Sequence, residues 1–192
     1  MVDPKNSELT LEGSTVQLRK MTGDDKGALL NFARELPSHD LLFLMRDITN
    51  EKVVDAWIRD LQSGSIQTLL ALEGDAIVGC AAVISDPLSW SEHVGDIRVL
   101  VSASHRKQGL GRGLIEEAFQ IAVDQGLSKL MARMTVDQKG AIAIFEELGF
   151  RGEALLKDHI KDGSGTLHDL VILSCDPSRY VQMRSAFAGS DE

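Results

Sequence analysis

The sequence is poor in cysteine, and its two cysteines do not form a pattern typical of a disulfide framework or a metal site. Cys80 and Cys175 each lie in an apolar run of the 192-residue chain. No cysteine–histidine group has the spacing of a zinc site. We therefore expect both thiols to be small buried side chains, and we expect no metal.

Long apolar runs and a basic surplus are also absent. No stretch approaches the length of 18 uninterrupted apolar residues, and residues 1–6 have no apolar core of the kind found in signal peptides. These absences predict a cytoplasmic protein without a membrane partner. The formal net charge of −9 argues against nucleic-acid binding, which needs a basic face, and it suits attraction of a cationic substrate.

Proline is scarce as well, with four residues, and 43% of the chain is hydrophobic. Such a composition indicates a folded protein, and the length suits one domain with a sizeable core. The chain has no internal repeat and no linker rich in proline, glycine or serine. We predict a flexible N-terminus over 1–13, one domain over 14–176, and a C-terminal helix and tail over 177–192.

Hydrophobic periodicity predicts a strand, two helices, three strands, a helix–strand–helix unit, a two-stranded hairpin and a last helix. A Thr22–Asp25 capping box begins the first helix and Pro37 ends it. The apolar stretch 38–45 is either a helical turn or a loop that lines a pocket. Mixed strand directions with one crossover predict an α/β fold, with a mixed, mostly antiparallel sheet of about seven strands and helices on both faces. The predicted strands are 15–19, 67–73, 76–84, 92–101, 129–135, 150–160 and 166–174.

A basic, glycine-rich turn lies between the fourth predicted strand and the helix 110–124. The start of a helix offers backbone N–H groups without partners and the positive end of a dipole, and glycine lets a ligand come close to the backbone. The turn lacks the ending of an NTP-binding loop, and its glycine spacing differs from the dinucleotide-binding fingerprint. We interpret it as a diphosphate site. Its basic residues and glycines are Arg106, Lys107, Arg112, Gly109, Gly111 and Gly113.

Read from Arg106, this turn has the pattern Arg-x-x-Gly-x-Gly, and it resembles the pyrophosphate-binding turn of the GNAT superfamily of acetyl-CoA-dependent N-acetyltransferases. The predicted order of elements resembles the GNAT fold from about Val16 to Ser174. The resemblance implies that the strands 92–101 and 129–135 diverge at their C-terminal ends and that acetyl-CoA lies between them. It implies backbone contacts to the pantetheine arm from Val99, Leu100 and Val101. It also implies that the diphosphate is bound by Arg106, Lys107, Gln108, Gly109, Gly111, Arg112 and Gly113.

A second family pattern, Asn and Ala followed by Tyr-x-x-x-Gly-Phe, matches residues 138–150 in spacing. Gln138 stands in the place of the asparagine, and Phe145 stands where many members have a tyrosine. That tyrosine commonly protonates the CoA thiolate, and phenylalanine has no proton to donate. Either water or another group takes this role, or the thiolate leaves unassisted, or the protein is not catalytic. We interpret Phe145 as a core or pocket-wall residue.

Acetyl transfer to an amine needs a group that takes the amine's proton. The candidates for this base are Asp96, Glu92 and His93, which lie on or beside the strand that enters the turn. A salt bridge of Asp96 with Arg98 or a neighbouring strand is the alternative role for that carboxylate. Other polar side chains have lesser roles. His39 and Asp40 are candidate substrate contacts, because their segment often covers the acceptor pocket in GNAT proteins, and cross-strand pairing is the expected role of His159, His168 and Asp169.

These patterns together predict an N-acetyltransferase that moves an acetyl group from acetyl-CoA to a primary amine by direct attack in a ternary complex. The acceptor could be a protein lysine or N-terminus, a polyamine, an amino acid or an aminoglycoside. The alternative is a non-catalytic acyl-CoA-binding sensor or regulatory module of the same fold. The resemblance is also compatible with a homodimer.

Overall fold

One eight-stranded sheet organises the molecule, with the strand order β1-β2-β3-β4-β5-β6-β8-β7. The computed structural model describes residues 7–44 and 46–188. In this part of the chain β5 and β6 pair in parallel, and all other neighbouring strands pair antiparallel. The strands are β1 (Ser7–Thr10), β2 (Thr15–Lys20), β3 (Ile66–Glu73), β4 (Ala76–Ile84), β5 (Val94–Val101), β6 (Lys129–Thr135), β7 (Arg151–Lys161) and β8 (Leu167–Cys175).

Helices cover both faces of this sheet. They are α1 (Lys26–Glu35), α2 (Glu51–Ser63), α3 (Leu110–Asp124), α4 (Lys139–Glu147) and α5 (Pro177–Ala188), and a 3-10 segment covers Ser38–Leu44. One apolar cluster joins α1, α2 and the Ser38–Leu44 segment to one face, and a second joins α3, α4 and α5 to the other. Phe119 of α3 stacks on Phe150 at 5.8 Å between ring centroids. The predicted α/β class, with a mixed sheet between two helical layers, is confirmed.

Local signals in the sequence account for the ends of the helices. The backbone N–H of Thr22 donates to Asp25 Oδ2 at 2.8 Å, which closes the predicted capping box before α1. The side chain of Asn50 accepts from the N–H of Lys52 and caps α2. Gly64 ends α2 with φ +81°, a conformation that glycine adopts at little cost.

The structure differs from the predicted elements at the N-terminus. Ser7–Thr10, placed in a flexible stretch by the sequence, form β1 and pair with β2, so the sheet has eight strands rather than about seven. Residues 1–6 lie outside the described residues. The side chain of Leu9 packs on Gly113, where a Cβ atom would come within 2.5 Å of Leu9 Cδ2. This contact attaches β1 to the first turn of α3.

Two further predicted boundaries change. The strand predicted over 92–101 begins at Val94, which leaves Glu92 and His93 in the preceding turn. The C-terminal helix predicted within 177–192 runs from Pro177 to Ala188, and the last four residues of that stretch lie outside the described residues.

Candidate active site

The parallel strands β5 and β6 separate halfway along their length. They are paired from Val94 with Lys129 to Ile97 with Ala132, and the pairing stops there. The N–H of Ser102 donates to Val78 of β4 at 2.9 Å. Because backbone groups alternate in direction along a strand, Leu100 also faces β4, whereas the N–H and C=O groups of Val99 and Val101 face the gap.

A cavity of about 620 Å³ occupies this gap. Its walls come from β5, β6, the Ser38–Leu44 segment, the turn before α3, and α4. Phe43, Val99, Ile115 and Ile144 give it a mainly apolar surface. The volume lies within the range of pockets that bury small molecules and cofactors.

The glycine-rich turn forms one end of the cavity. Gly109 has φ +90° immediately before α3, and Lys107 also has a positive φ, of 60°. The first hydrogen bond of α3 runs from the N–H of Gly113 to the carbonyl of Gly109 at 3.0 Å. The N–H groups at the very start of the helix therefore have no partner within it, which is the arrangement that binds anions.

The basic side chains of the turn differ in their surroundings. Arg106 pairs with Asp40 of the Ser38–Leu44 segment and lies 3.4 Å from the carbonyl of Val101. Arg112 pairs with Glu147 of α4. Lys107 lines the cavity, and among the described residues it forms no ion pair. Arg106 therefore joins the turn to the opposite wall through Asp40.

Two of the residues predicted to bind acetyl-CoA have backbone groups that are directed to other parts of the protein. The backbone of Leu100 is directed to β4, and its side chain is buried in the cluster beneath α1 and α2, although the residue borders the cavity. The N–H of Gly113 is used inside α3, and its lack of a side chain is explained by the close approach of Leu9. Of the other predicted residues, Arg106, Lys107, Gln108 and Gly109 lie in the turn before α3, and Gly111 and Arg112 lie in its first turn.

The three predicted base candidates do not lie in the cavity wall. Asp96 is bonded to Arg98 Nε at 3.0 Å and lies 3.1 Å from a guanidinium nitrogen of Arg133, so it has the salt-bridge role that was its alternative. Glu92 and His93 are exposed in the turn that precedes β5. A strand rises about 3.3 Å per residue, which places them more than about 20 Å along the chain from Val101. The geometry does not support a base role for these three residues.

Phe145 lies in the cavity wall, buried against Phe150 with 4.9 Å between ring centroids. This position agrees with the pocket-wall role predicted for it. The single tyrosine of the sequence, Tyr180, donates its hydroxyl to Glu116 Oε1 at 2.7 Å and is not part of the wall.

Three charged residues of the wall, Asp137, Arg133 and Lys139, were not predicted from the sequence. Asp137 follows β6 at the open end of the gap, and its Oδ2 atom lies 2.7 Å from His39 Nε2. The hydroxyl of Thr135, with a smaller contribution from the charge of His39, holds the pKa of Asp137 below its usual range. Arg133 of β6 is the second, and it joins the wall to Asp96. The feature of the sequence that could have identified Asp137 is its position directly after β6, which ends at the gap.

The terminal hairpin lies beside this wall. The ring of His168 meets the ring of His39 edge-on at 5.3 Å between centroids, and its Nε2 atom lies 2.9 Å from Asp162 Oδ2. Bonding to His168 and then to Ser164 lowers the pKa of Asp162. Asp169 accepts from the N–H of Asp158 across the hairpin, as cross-strand pairing predicts, whereas His159 is exposed.

Over the described ranges, no group of three or more histidine, cysteine, aspartate or glutamate side chains is arranged to hold a metal ion. In the same ranges no helix combines the length and apolar character needed to cross a membrane.

Comparison with known proteins identifies the family. The model of the acetyltransferase (GNAT) family matches residues 31–150. Probable N-acetyltransferase family 8 member 5 from Mus musculus is 32% identical over 84 residues, which cover 43% of this chain and 37% of that protein. N-acetyltransferase 8 from Rattus norvegicus is 31% identical over 116 residues, which cover 58% of this chain and 49% of that protein. The chain thus matches no more than about half the length of these two curated relatives.

Solved structures share the fold along most of the chain. An acetyltransferase of the GNAT family from Streptococcus pneumoniae has a TM-score of 0.73 at 20% identity, covering 84% of this chain and 99% of its own. A spermidine N-acetyltransferase from Vibrio cholerae, in complex with CoA and spermine, has a TM-score of 0.72 at 15% identity, covering 86% and 98%. With the divided strands, the glycine-rich turn and the family match over 31–150, the chain belongs to the acetyltransferase (GNAT) family.

Proposed function

We propose that the protein is an N-acetyltransferase that moves an acetyl group from acetyl-CoA to a primary amine by direct attack in a ternary complex. One observation carries the proposal. The unpaired edge of β5 and the open N–H groups at the start of α3 meet at the same cavity. An extended chain with amides at one end and phosphates at the other is the ligand that such a pair of surfaces suits.

The residues present fit acetyl-CoA as the donor. The backbone groups of Val99 and Val101 bind the amides of its pantetheine arm, and the N–H groups from Gln108 to Arg112 bind its diphosphate. Lys107 adds a positive charge at the same end. When bound, acetyl-CoA supplies an acetyl group activated as a thioester.

The chain contributes position and environment to the reaction. Apolar walls that include Phe43 and Phe145 lower the polarity around the reacting atoms. A backbone N–H on the open edge of β5 is suited to stabilise the negative charge that develops on the acetyl oxygen. Holding donor and acceptor in one cavity removes the entropy cost of their encounter.

Structural neighbours support an acetyl donor and an amine acceptor. One is a putative acetyltransferase from Salmonella typhimurium with acetyl-CoA, and another is a phosphinothricin acetyltransferase from Sinorhizobium meliloti in complex with the same molecule. The spermidine acetyltransferase from Vibrio cholerae holds CoA and spermine. These acceptors differ, so they support an amine in general.

Acetyl-CoA binding tests the donor site, and two glycine variants make the test specific. Gly109→Glu places a carboxylate at the cradle, and Gly126→Glu places one at the other end of α3. Both glycines have positive φ and no atom within 4 Å of an added Cβ, so the strain is matched. The new carboxylate would repel the negative diphosphate of acetyl-CoA. Two charges about 4 Å apart interact by about 4 kcal/mol in a partly screened site, so we expect Gly109→Glu to weaken acetyl-CoA binding by about 100-fold or more.

Calorimetry with acetyl-CoA measures this difference directly. Release of CoA thiol, with lysine peptides, polyamines, amino acids and aminoglycosides as acceptors, then measures transfer. Gly126→Glu retains wild-type binding and transfer if the cradle has been located correctly. Equal acetyl-CoA affinity in Gly109→Glu and the wild type would contradict the donor site.

A second function is favoured by one observation, the phenylalanine at position 145. The cavity wall has a ring without a proton to donate, and the hydroxyl of Tyr180 is bonded to Glu116. A non-catalytic sensor or regulatory module would bind acetyl-CoA tightly and give no acetylated product across the same acceptors. Efficient turnover of any one acceptor excludes it.

A further inference from the structure

Two acid–imidazole pairs lie side by side at the wall formed by the Ser38–Leu44 segment. Asp137 Oδ2 lies 2.7 Å from His39 Nε2, and Asp162 Oδ2 lies 2.9 Å from His168 Nε2. The two imidazole rings meet edge-on at 5.3 Å. Of these four residues, His39 and Asp137 line the cavity, so theirs is the pair that a bound molecule can contact.

Two sets of contacts, one with the core and one with the glycine-rich turn, hold the segment that carries His39 in place. Leu41, Phe43 and Leu44 are buried in the core beneath α1 and α2. On the other side, Asp40 is paired with Arg106 of the glycine-rich turn. His39 therefore projects from a short segment that is anchored to the core and to the donor site at once.

The other acidic side chains near His39 have partners of their own, so Asp137 is the carboxylate that His39 contacts. Asp40 is paired with Arg106, Asp96 is paired with Arg98 and Arg133, and Asp162 is bonded to His168. The lysines that line the cavity, Lys107 and Lys139, form no ion pair among the described residues. The side chain of His39 is 39% exposed, so a proton that it accepts can leave to solvent. The Asp137 carboxylate, 2.7 Å from Nε2, is placed to stabilise the positive charge that the imidazole acquires when it takes a proton, although the two groups are not aligned as a hydrogen bond.

We propose that His39 is the general base for the acceptor amine and that Asp137 is its positioning residue; this inference rests on the acetyl transfer proposed above. Nδ1 of His39 accepts the proton from the acceptor nitrogen as that nitrogen forms a bond to the acetyl carbon. The carbon–sulfur bond breaks, and its electron pair leaves with the sulfur. His39 releases its proton to solvent, and the thiolate is protonated from solvent, since Phe145 has no proton to give. Overall, one amine and one thioester are converted into one amide and one thiol.

This assignment places the base in the cavity wall, where none of the three sequence-derived candidates lies. The ionised state of Asp137 at neutral pH follows from its lowered pKa. His168 packs against the edge of the His39 ring and restricts its rotation. The second pair thus supports the orientation of the first.

The test uses His39→Gln, Asp137→Asn and, as a control, His159→Gln, which changes an exposed histidine of β7 outside the cavity. Transfer to spermidine and to a lysine peptide is followed as CoA thiol, and acetyl-CoA binding is followed by calorimetry on the same samples. We expect His39→Gln to lower kcat by about 100-fold or more, the usual contribution of a general base, with acetyl-CoA affinity within about three-fold of the wild type. His159→Gln keeps the wild-type rate.

Two readouts separate a catalytic role from a structural one. A base must be unprotonated to act, so the fall of the wild-type rate on the acid side has a contribution that His39→Gln lacks. In His39→Ala, added imidazole restores part of the rate, because the cavity left by the ring is open to solvent. Asp137→Asn, which keeps the shape but not the charge, lowers kcat without changing the affinity for acetyl-CoA.

The outcomes distinguish this inference from the proposed function. Wild-type transfer together with an unchanged rate in His39→Gln overturns the base assignment and leaves the acetyltransferase intact. Acetyl-CoA binding without transfer to any acceptor overturns the base assignment and favours the sensor. Absence of acetyl-CoA binding in the wild type overturns both.

Discussion

Replacing Gly111 by alanine should change the stability of the free protein and its affinity for acetyl-CoA in opposite directions. Gly111 is the second residue of α3 and has helical backbone geometry, and a Cβ there would lie 3.7 Å from Val101 Cγ2, an ordinary contact. Alanine in place of a helical glycine stabilises a protein by about 0.4–1 kcal/mol, since the unfolded chain loses freedom. For a chain of this length, that corresponds to a rise in Tm of about 1–4 °C.

The same methyl group would stand where the diphosphate approaches the backbone. Losing one hydrogen bond to a charged group costs about 1.5–3 kcal/mol, which weakens acetyl-CoA binding by about 10- to 100-fold. A ligand at 100 times its Kd stabilises a protein by about 2.7 kcal/mol, and a ten-fold weaker Kd removes about half of that. The variant should therefore melt above the wild type without acetyl-CoA and below it with excess acetyl-CoA.

Gly27→Ala is the matched control for this experiment. Gly27 is the second residue of α1, has no atom within 4 Å of an added Cβ, and lies outside the cavity wall. It should raise Tm by a similar amount with and without acetyl-CoA. If Gly111→Ala keeps its gain in Tm at saturating acetyl-CoA, the backbone at Gly111 does not meet the diphosphate and the reasoning about the cradle is wrong.

Two other predictions concern stability and reactivity. Bonding to Arg19 lowers the pKa of Asp25, so this carboxylate stabilises the fold above about pH 4 and loses that effect as the pH falls through its folded pKa. Because Arg19 is one-third exposed, we expect Asp25→Asn to cost about 1–2 kcal/mol at pH 7 and progressively less as the pH falls below about 4, measured by urea unfolding; a cost that stays the same over this range would contradict the ion pair. Burial raises the pKa of the Cys80 thiol to about 12, so an aromatic disulfide reagent at pH 8 should modify Cys80 only after unfolding, and rapid modification of the native protein would show that β4 is less protected than described.

The sequence predicted the fold well where its signals are local. The bounds of α3 agree with the predicted 110–124, because Gly109 and Gly126 adopt positive φ at its two ends and the apolar residues between them repeat at helical spacing. The capping box before α1 was also readable, since both of its partners lie within four residues. Helix ends of this kind depend on neighbouring residues alone.

Contacts between residues far apart in the sequence could not be predicted from such local signals. β1 is four residues long, and the reason that it is ordered is the packing of Leu9 on Gly113, far away in the chain. Within the site, alternation along a strand placed Asp96 and Arg98 on one face, but it could not show that Arg133 would join them. The pairing of His39 with Asp137 is likewise set by how the Ser38–Leu44 segment packs on β6.

The docking of Leu9 on Gly113 has a consequence for the order in which the protein assembles during synthesis. A ribosome adds about 5–20 residues per second, so α3 is completed roughly 5–20 s after β1 has been made. During that interval Leu9 and the apolar side chains of β2 have no helix to pack against, and until β3 has been made β2 also presents an unpaired strand edge. The newly made N-terminal hairpin is therefore the part of this chain that most needs protection from pairing with other chains before the glycine-rich turn arrives.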